Sequence, residues 1–401
     1  MTEEMVAPVL TEETIRKEIP ENKGSSPPEA AGKKEKFFGI ELLRILATFY
    51  IILLHVIGQG GVAAASGGGK GTYMASYLLL ALAYPAVNCY ALISGFVGCK
   101  SRFKLSRLLS LWLTVVFVNL AVWGTFRLLA PEMAASFSLE ACLKPLLTNE
   151  YWYVTAYFGL SVLTPVLNAA AELPKKTFAE MLVGLFACFV LLPKIADNDL
   201  FLTRSGYSTL WLMLLYLVGM FCRLHFHPKK RGRLCGAACL AAYGLLSVFL
   251  PLQKRLTENK LLASGIENPV YLKNYAYTSV FIVLSSVALF AFFMRIKVQN
   301  KAVCRFISFF STASFGVYIL HTQPLVLANL LQDAFSSFAA FSAPVMAACC
   351  LAAALGIFLV CTAVERLRAL LFHVTRLDRF IVLLPSVTER AVEKVLAKMH
   401  R

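Results

Sequence analysis

Apolar residues in this chain form long, nearly uncharged runs rather than short alternating stretches. An α-helix needs about 20 apolar residues to cross the hydrocarbon core of a bilayer, and the runs have that length. No internal repeat relates one run to another. The pattern predicts an all-α polytopic membrane bundle of ten transmembrane helices, over residues 37–57, 73–97, 106–129, 152–170, 178–194, 207–223, 234–252, 275–295, 307–331 and 342–364.

Composition excludes the alternative of two or three soluble domains. Hydrophobic residues make up 58% of the 401 residues and charged residues only 15%, whereas soluble chains carry about 25% charged residues.

The two ends of the chain differ in composition from the apolar region between them. Residues 1–35 hold eight Glu and few aromatics, which predicts a disordered cytoplasmic tail. We therefore expect a membrane domain over 36–365 and a cytoplasmic amphipathic segment over 366–401.

The basic excess of the chain is unevenly distributed among its predicted loops. A net charge of +16 is typical of nucleic-acid binding or of the positive-inside bias of membrane proteins. With a cytoplasmic N-terminus, the inner segments hold 22 Lys and Arg residues and the outer loops hold 9. This asymmetry favours the positive-inside interpretation. It predicts a multi-pass protein of the cell membrane with both termini cytoplasmic and no nucleic-acid partner.

The first predicted helix carries an aligned set of polar residues. Arg44 and His55 are 11 positions apart, which places them about 20° apart in angle and about 16 Å apart in rise. Glu41 lies near the same face and can pair with Arg44. Two interpretations are open: an interfacial anchor capped by His55, or a functional stripe, since charges inside a bilayer are costly.

Several phrases of the sequence occur together in one known family. After Gly39-Ile40-Glu41 comes Arg44 with His55 eleven residues later, and Ala91-Leu92-Ile93-Ser94-Gly95-Phe96 precedes a basic run. Tyr151-Trp152-Tyr153 leads to Leu163-Thr164-Pro165, and Phe315-Gly316-Val317-Tyr318-Ile319-Leu320-His321 stands near the end. In order and spacing, residues 36–365 resemble the acyltransferase 3 family of integral membrane O-acyltransferases, in particular its surface-polysaccharide or small-sugar branch. The resemblance implies transfer of an acyl group, usually acetyl, from acyl-CoA to a hydroxyl of a cell-envelope carbohydrate.

The chemistry of such a transfer needs a base for the hydroxyl proton, and histidine has the appropriate unperturbed pKa. His55 is the first candidate for the catalytic base, together with Arg44. His321 is the other histidine in a predicted span. It is the alternative base, a residue of the substrate site, or a buried structural histidine.

The phosphates of acetyl-CoA need cations. Lys100, Arg102 and Arg107 follow the second span, and we expect them to bind the donor together with Arg44. The positive-inside bias alone would also explain the three loop residues.

Glu150, Trp152, Tyr153 and Tyr157 are candidate substrate-binding residues, because aromatic rings stack on sugars. The other interpretation of these rings is an interfacial aromatic belt. No set of ligands has metal spacing, so no metal is predicted. The competing function is a transporter or flippase for a lipid-linked sugar, since transporters also bury charged residues and break their helices.

Overall fold

The computed structural model describes residues 36–67, 71–101, 103–148, 150–226, 232–266 and 271–377, with isolated positions at 383, 387, 388 and 390. It is 80% helical, and the part of the chain that it describes contains no strand. The predicted all-α membrane bundle is confirmed. The predicted tail over 1–35 and most of 378–401 lie outside the described residues.

The helices follow one another through short connections. In chain order they are α1 Phe38–Ile57, α2 Val62–Ala65, α3 Gly71–Ala83, α4 Pro85–Gly98, α5 Leu105–Leu129, α6 Pro131–Ala134, α7 Leu139–Leu143, α8 Trp152–Ala169, α9 Lys175–Phe186, α10 Leu192–Ala196, α11 Thr209–His225, α12 Gly232–Ala263, α13 Val280–Phe293, α14 Lys301–His321, α15 Pro324–Val326 and α16 Ala343–Thr375. Single-turn elements add Ala170–Glu172, Ala187–Leu191, Arg204–Gly206, Leu327–Leu331 and Ser336–Ala340.

The transmembrane count agrees with the apolar pattern. Within the described ranges, eight helical segments are long and apolar enough to span a membrane, with α3–α4 and α9–α10 each counted as one. Two shorter apolar helices, α11 with 17 residues and α13 with 14 residues, occupy the sixth and eighth predicted spans. Both are packed inside the bundle, where neighbouring helices cover them.

The largest differences between predicted and observed boundaries lie in three of the spans. The seventh span was expected to end at residue 252, but α12 continues to Ala263, because Lys254 and Glu258 pair one turn apart and are both buried. The ninth was expected to be continuous over 307–331, but α14 ends at His321. Pro324 has no N–H and disfavours a helical residue before it, so the chain breaks at Gln323. The tenth span was expected to end at residue 364, but α16 continues to Thr375 and so includes the start of the predicted C-terminal segment over 366–401.

Alternating helix directions give the bundle two ends. We call the end at which α1 begins the basic face; there Phe37 packs on Phe96, and the Arg223 guanidinium lies 4.3 Å from the Phe37 ring centre. The opposite end, where α1 ends, is the distal face. There the Asp333 N–H donates to the Gln59 carbonyl at 2.8 Å, which ties the segment after α15 to the end of α1.

Glycines allow two central helices to approach closely. A Cβ on Gly95 of α4 would lie 1.8 Å from the Tyr216 carbonyl oxygen, and one on Gly219 of α11 would lie 2.1 Å from that of Leu92. Small residues on both partners therefore set the α4–α11 spacing, as in other membrane helix pairs. In addition, α4 packs against α1 and α11 packs against α8, the helices that carry the candidate site.

Candidate active site

Two histidines from different helices meet near the distal end of the bundle. His55 lies in the last turn of α1 and His321 is the last residue of α14. Nε2 of His321 is 3.1 Å from Nδ1 of His55, and the His321 side chain is completely buried. The fold therefore joins the two histidines that lie far apart in sequence.

Their hydrogen bonds determine which ring nitrogen is available for chemistry. Nδ1 of His321 lies 2.7 Å from the Val317 carbonyl oxygen, which only accepts, so this nitrogen carries a proton. In the neutral form favoured by burial, Nε2 of His321 then accepts from Nδ1–H of His55. The lone pair of His55 is consequently on Nε2, the nitrogen that faces away from His321.

The polar stripe on α1 contains more than the sequence indicated. The Arg44 guanidinium is 3.6 Å from the Glu41 carboxylate, with 28% of the Arg44 side chain exposed. One turn on, the Thr48 hydroxyl lies 2.5 Å from the Tyr90 hydroxyl of α4, and the Thr48 side chain is completely buried. Arg44, Thr48 and His55 thus mark one line along α1 toward the distal face.

Aromatic rings connect Arg44 to the histidine pair. The Tyr90 hydroxyl lies 3.4 Å from the Arg44 carbonyl oxygen. Tyr153 lies 6.2 Å from Tyr90 and 5.9 Å from Tyr318 between ring centres, and Tyr318 lies 6.0 Å from His321. The tyrosine hydroxyls supply polar groups along an otherwise apolar interior.

A cavity of about 250 Å³ opens among the loops of the distal face. That volume is near the lower end for small-molecule sites, about 300 Å³. Trp152 packs against two of the rings that line it, 4.5 Å from Tyr207 and 5.9 Å from Tyr277. The cavity-lining residues are Tyr84, Ser205, Tyr207, Leu272, Lys273, Tyr275, Ala276 and Tyr277.

Local backbone and charge contacts shape this cavity. Gly206 has φ +102°, and a Cβ there would lie 2.4 Å from Cβ of Tyr277, so glycine allows the two loops to meet. Asp197 is hydrogen-bonded to Lys273, and this bond holds the pKa of the Asp197 carboxyl below its usual value. Lys273 therefore lines the cavity as a paired cation.

Two of the predicted donor-binding cations, Lys100 and Arg107, lie on the basic face. Lys100 is exposed in the loop after α4, and Arg107 is exposed in the first turn of α5. The Asn168 amide donates to the carbonyls of Gly98 at 3.2 Å and Ser101 at 3.1 Å, which fixes this loop against α8. Arg102 lies outside the described residues.

The predicted acceptor-binding residues divide into three groups. Glu150 is exposed before α8 and has no ring contact, whereas Trp152 faces the cavity rings. Tyr153 and Tyr157 stack on one another at 6.2 Å and 13°, on the inner side of Trp152. These rings contact other aromatic side chains of the bundle.

Sequence reasoning missed the residues that complete the site. Thr48 resembles any polar residue in a span, and Tyr90 and Tyr318 resemble core aromatics. The alternation Tyr275-Ala276-Tyr277 before α13 was the one local signal for the cavity wall. Across the described ranges, no group of three or more His, Cys, Asp or Glu side chains is placed to hold a metal ion.

The comparison with known protein families gives a match that covers the whole membrane region. The family model described as an acyltransferase domain, that of the acyltransferase 3 family, matches residues 37–363. No curated protein and no solved structure matches the chain. The matched range includes both histidines, Arg44 and the aromatic groups on α8. By this match, the chain belongs to the acyltransferase 3 family and is a membrane acyltransferase.

Proposed function

We propose that this protein transfers an acetyl group from acetyl-CoA to a hydroxyl of a cell-envelope carbohydrate. The observation that carries the proposal is the His55–His321 pair, 3.1 Å apart between Nδ1 and Nε2, in a chain of a family of acyltransferases. Such a pair presents an oriented imidazole base inside a bilayer, which thioester-to-alcohol transfer requires.

His55 acts as the general base in this proposal. Its Nε2 takes the proton of the acceptor hydroxyl while the hydroxyl oxygen attacks the thioester carbonyl carbon. The imidazolium donates through Nδ1 to Nε2 of His321, whose orientation is fixed by the Val317 carbonyl. When the carbon–sulfur bond breaks, His55 returns the proton to the leaving thiolate, so no net charge accumulates.

The donor is assigned to the basic face. Lys100, Arg102 and Arg107 offer cations for the nucleotide phosphates, and Arg44 lies deeper along α1. The rise from Arg44 to His55 is about 16 Å, comparable to the reach of an extended pantetheine arm. The nucleotide would then stay near the basic face while the thioester reaches the histidine pair.

The acceptor is assigned to the distal cavity. Tyrosine rings and hydroxyls there suit the apolar faces and hydroxyls of a sugar, and Trp152 with Tyr153 continues the aromatic surface toward Tyr318 and His321. Donor and acceptor would approach the histidines from opposite faces. This orientation also fits the excess of Lys and Arg predicted for the cytoplasmic side.

Acetyl-CoA binding by the purified protein is the direct test. We expect acetyl-CoA to raise the midpoint of thermal unfolding, because a ligand that binds only the native state stabilises it. We also expect loss of glycan O-acetyl groups in a deletion strain, measured by mass spectrometry. Wild-type protein should restore these groups, and the His55→Ala variant should not.

A lipid-linked sugar flippase would give different results. It would be indifferent to acetyl-CoA in the thermal assay, and the deletion strain would lose whole glycans rather than their acetyl groups. The helix break at Gln323 resembles the discontinuous helices of transporters. The same helix break suits an enzyme that exposes polar groups in its core. The match to a family of acyltransferases favours the enzyme over the flippase.

A further inference from the structure

Two buried side-chain amides near the C-terminal end of α14, which carries His321, retain N–H groups without an acceptor. Nε2 of Gln323 and Nδ2 of Asn119 have no hydrogen-bond partner among the described residues, and both side chains are completely buried. A buried donor without a partner costs about 1–3 kcal/mol. Two such groups close to one site indicate a ligand that supplies acceptors.

The orientation of the Gln323 amide is fixed by its other half. Its side-chain oxygen accepts from the backbone N–H groups of Leu325 at 2.7 Å and Val326 at 3.1 Å. A flipped amide would place NH₂ against two N–H donors, so the oxygen must be here. The NH₂ group therefore points away from α15, two residues beyond His321.

Asn119 lies at the same level of the bundle and keeps an N–H without an acceptor in either orientation of its amide. Its side chain has one partner, the Tyr151 hydroxyl at 2.7 Å, which donates to the amide oxygen or accepts from one N–H, so the second N–H is left unbonded. Its neighbours on α5 bracket the helix break: Val118 shares an apolar cluster with Ile319, and Leu120 packs in the cluster of Leu325.

We propose that the Gln323 amide, with Asn119 as a second donor, stabilises the oxyanion formed during acyl transfer. The inference rests on the proposed function. When the acceptor oxygen bonds to the thioester carbon, the carbonyl oxygen becomes negative and accepts N–H from Gln323. The negative charge returns to the carbon–oxygen double bond as the carbon–sulfur bond breaks, and the thiolate takes the proton from His55.

A role of Gln323 in oxyanion stabilisation and a role in capping α15 predict different activities for two variants. The Gln323→Met variant removes both the N–H donor and the oxygen that caps α15, whereas Gln323→Glu keeps the capping oxygen and removes the donor. Burial favours the neutral carboxyl, whose O–H would still donate, so the variants are compared from about pH 8 to about pH 10, where the ionised carboxylate has no donor. A structural role predicts rescue by glutamate, and a transition-state role predicts that both variants fail.

The experiment measures release of CoA thiol from acetyl-CoA by the purified protein, with water or added glycan as acceptor. Both reactions pass through the same oxyanion. We expect Gln323→Met and Gln323→Glu to lower kcat for both by about 100- to 1,000-fold, with acetyl-CoA affinity unchanged within twofold. The control is Asn329→Leu on the same segment, which removes an amide that already donates to the Leu325 carbonyl without placing a charge against that carbonyl, and whose kcat should not change.

Asn119 provides a second variant that does not touch α15. The double variant Asn119→Leu with Tyr151→Phe is compared with the single variant Tyr151→Phe, so that no tyrosine hydroxyl is left unpaired in either protein. We expect a further loss of kcat of at least tenfold. The inference is overturned if Gln323→Glu restores wild-type kcat, or if only transfer to glycan falls while hydrolysis is unchanged. Wild-type protein that neither binds nor cleaves acetyl-CoA would overturn the proposed function instead, and the inference with it.

Discussion

Nε2 of His321 lies 3.1 Å from Nδ1 of His55 across the contact between α1 and α14. The relationship is directional, because the Val317 carbonyl fixes the proton on the other nitrogen of His321. His321 is thus the residue that orients His55 and receives its N–H. The two histidines therefore have unequal roles, which mutagenesis can separate.

The His55→Ala variant should lose nearly all transfer while still binding acetyl-CoA. Loss of a general base costs about 100- to 10,000-fold in rate. The His321→Ala variant should lose less, because the base remains but its tautomer is no longer fixed. The measurement is CoA release under saturating acetyl-CoA, with donor affinity followed by thermal shift.

The double variant tests whether the histidines act as one unit. If they do, His55→Ala with His321→Ala should be no slower than His55→Ala alone, because residues that act together are not additive. Additive losses would mean that His321 works independently of His55. Activity within a few-fold of wild type in both single variants would contradict the histidine mechanism.

Arg44→Lys should weaken donor use although it keeps the charge. Lysine cannot reproduce a planar two-point contact with phosphate or carbonyl oxygens, and a hydrogen bond to a charged group contributes about 1.5–3 kcal/mol. We expect kcat/KM for acetyl-CoA to fall about tenfold or more. The exposed Lys176, which contacts Glu180 on α9, is the control, and Lys176→Arg should have no effect. Unchanged donor affinity and turnover in Arg44→Lys would make Arg44 an anchor only.

The helices, and the part of the site that lies on α1, could be predicted from the sequence alone. Apolar run length predicted the spans, because a bilayer requires it, and helix geometry aligned Arg44 with His55 within one helix. The His55–His321 contact joins two helices, and no local pattern specifies which faces of α1 and α14 meet. Gln323 shows the same limit: Pro324 signalled a break, but burial of the amide depends on how α5 packs against it.

The buried Lys254–Glu258 pair predicts a specific pattern of stability. Glu258 also accepts from the Tyr73 hydroxyl and from the Tyr271 N–H at 3.0 Å, so it joins α12 to α3 and to the loop before α13. Removing one member of a buried ion pair typically costs about 3 kcal/mol, because the other charge is left unpaired. Lys254→Met should therefore lower the thermal midpoint markedly in detergent.

Two further variants serve as controls for that pair. Lys254→Met with Glu258→Gln should recover much of the loss, since no isolated charge remains and the glutamine oxygen can still accept from Tyr73 and Tyr271. The exposed pair Lys144–Glu140, at 2.7 Å, should tolerate Lys144→Met without a measurable change. If Lys254→Met proves as stable as wild type, the pair does not hold α12 in place.

Glycine packing between α4 and α11 gives the last prediction. Gly95→Ala places a methyl group 1.8 Å from the Tyr216 carbonyl oxygen, which belongs to backbone and cannot rotate away. The helices must separate, and overpacking of this kind costs about 1–3 kcal/mol. Gly184 of α9 is the matched control because a Cβ there would meet nothing within 4 Å, and alanine favours the helix. Thermal unfolding should show Gly95→Ala destabilised and Gly184→Ala equal to or above wild type. Because α4 carries Tyr90, Gly95→Ala should also reduce acetyl-CoA turnover; wild-type stability and turnover in that variant would refute the close approach of the two helices.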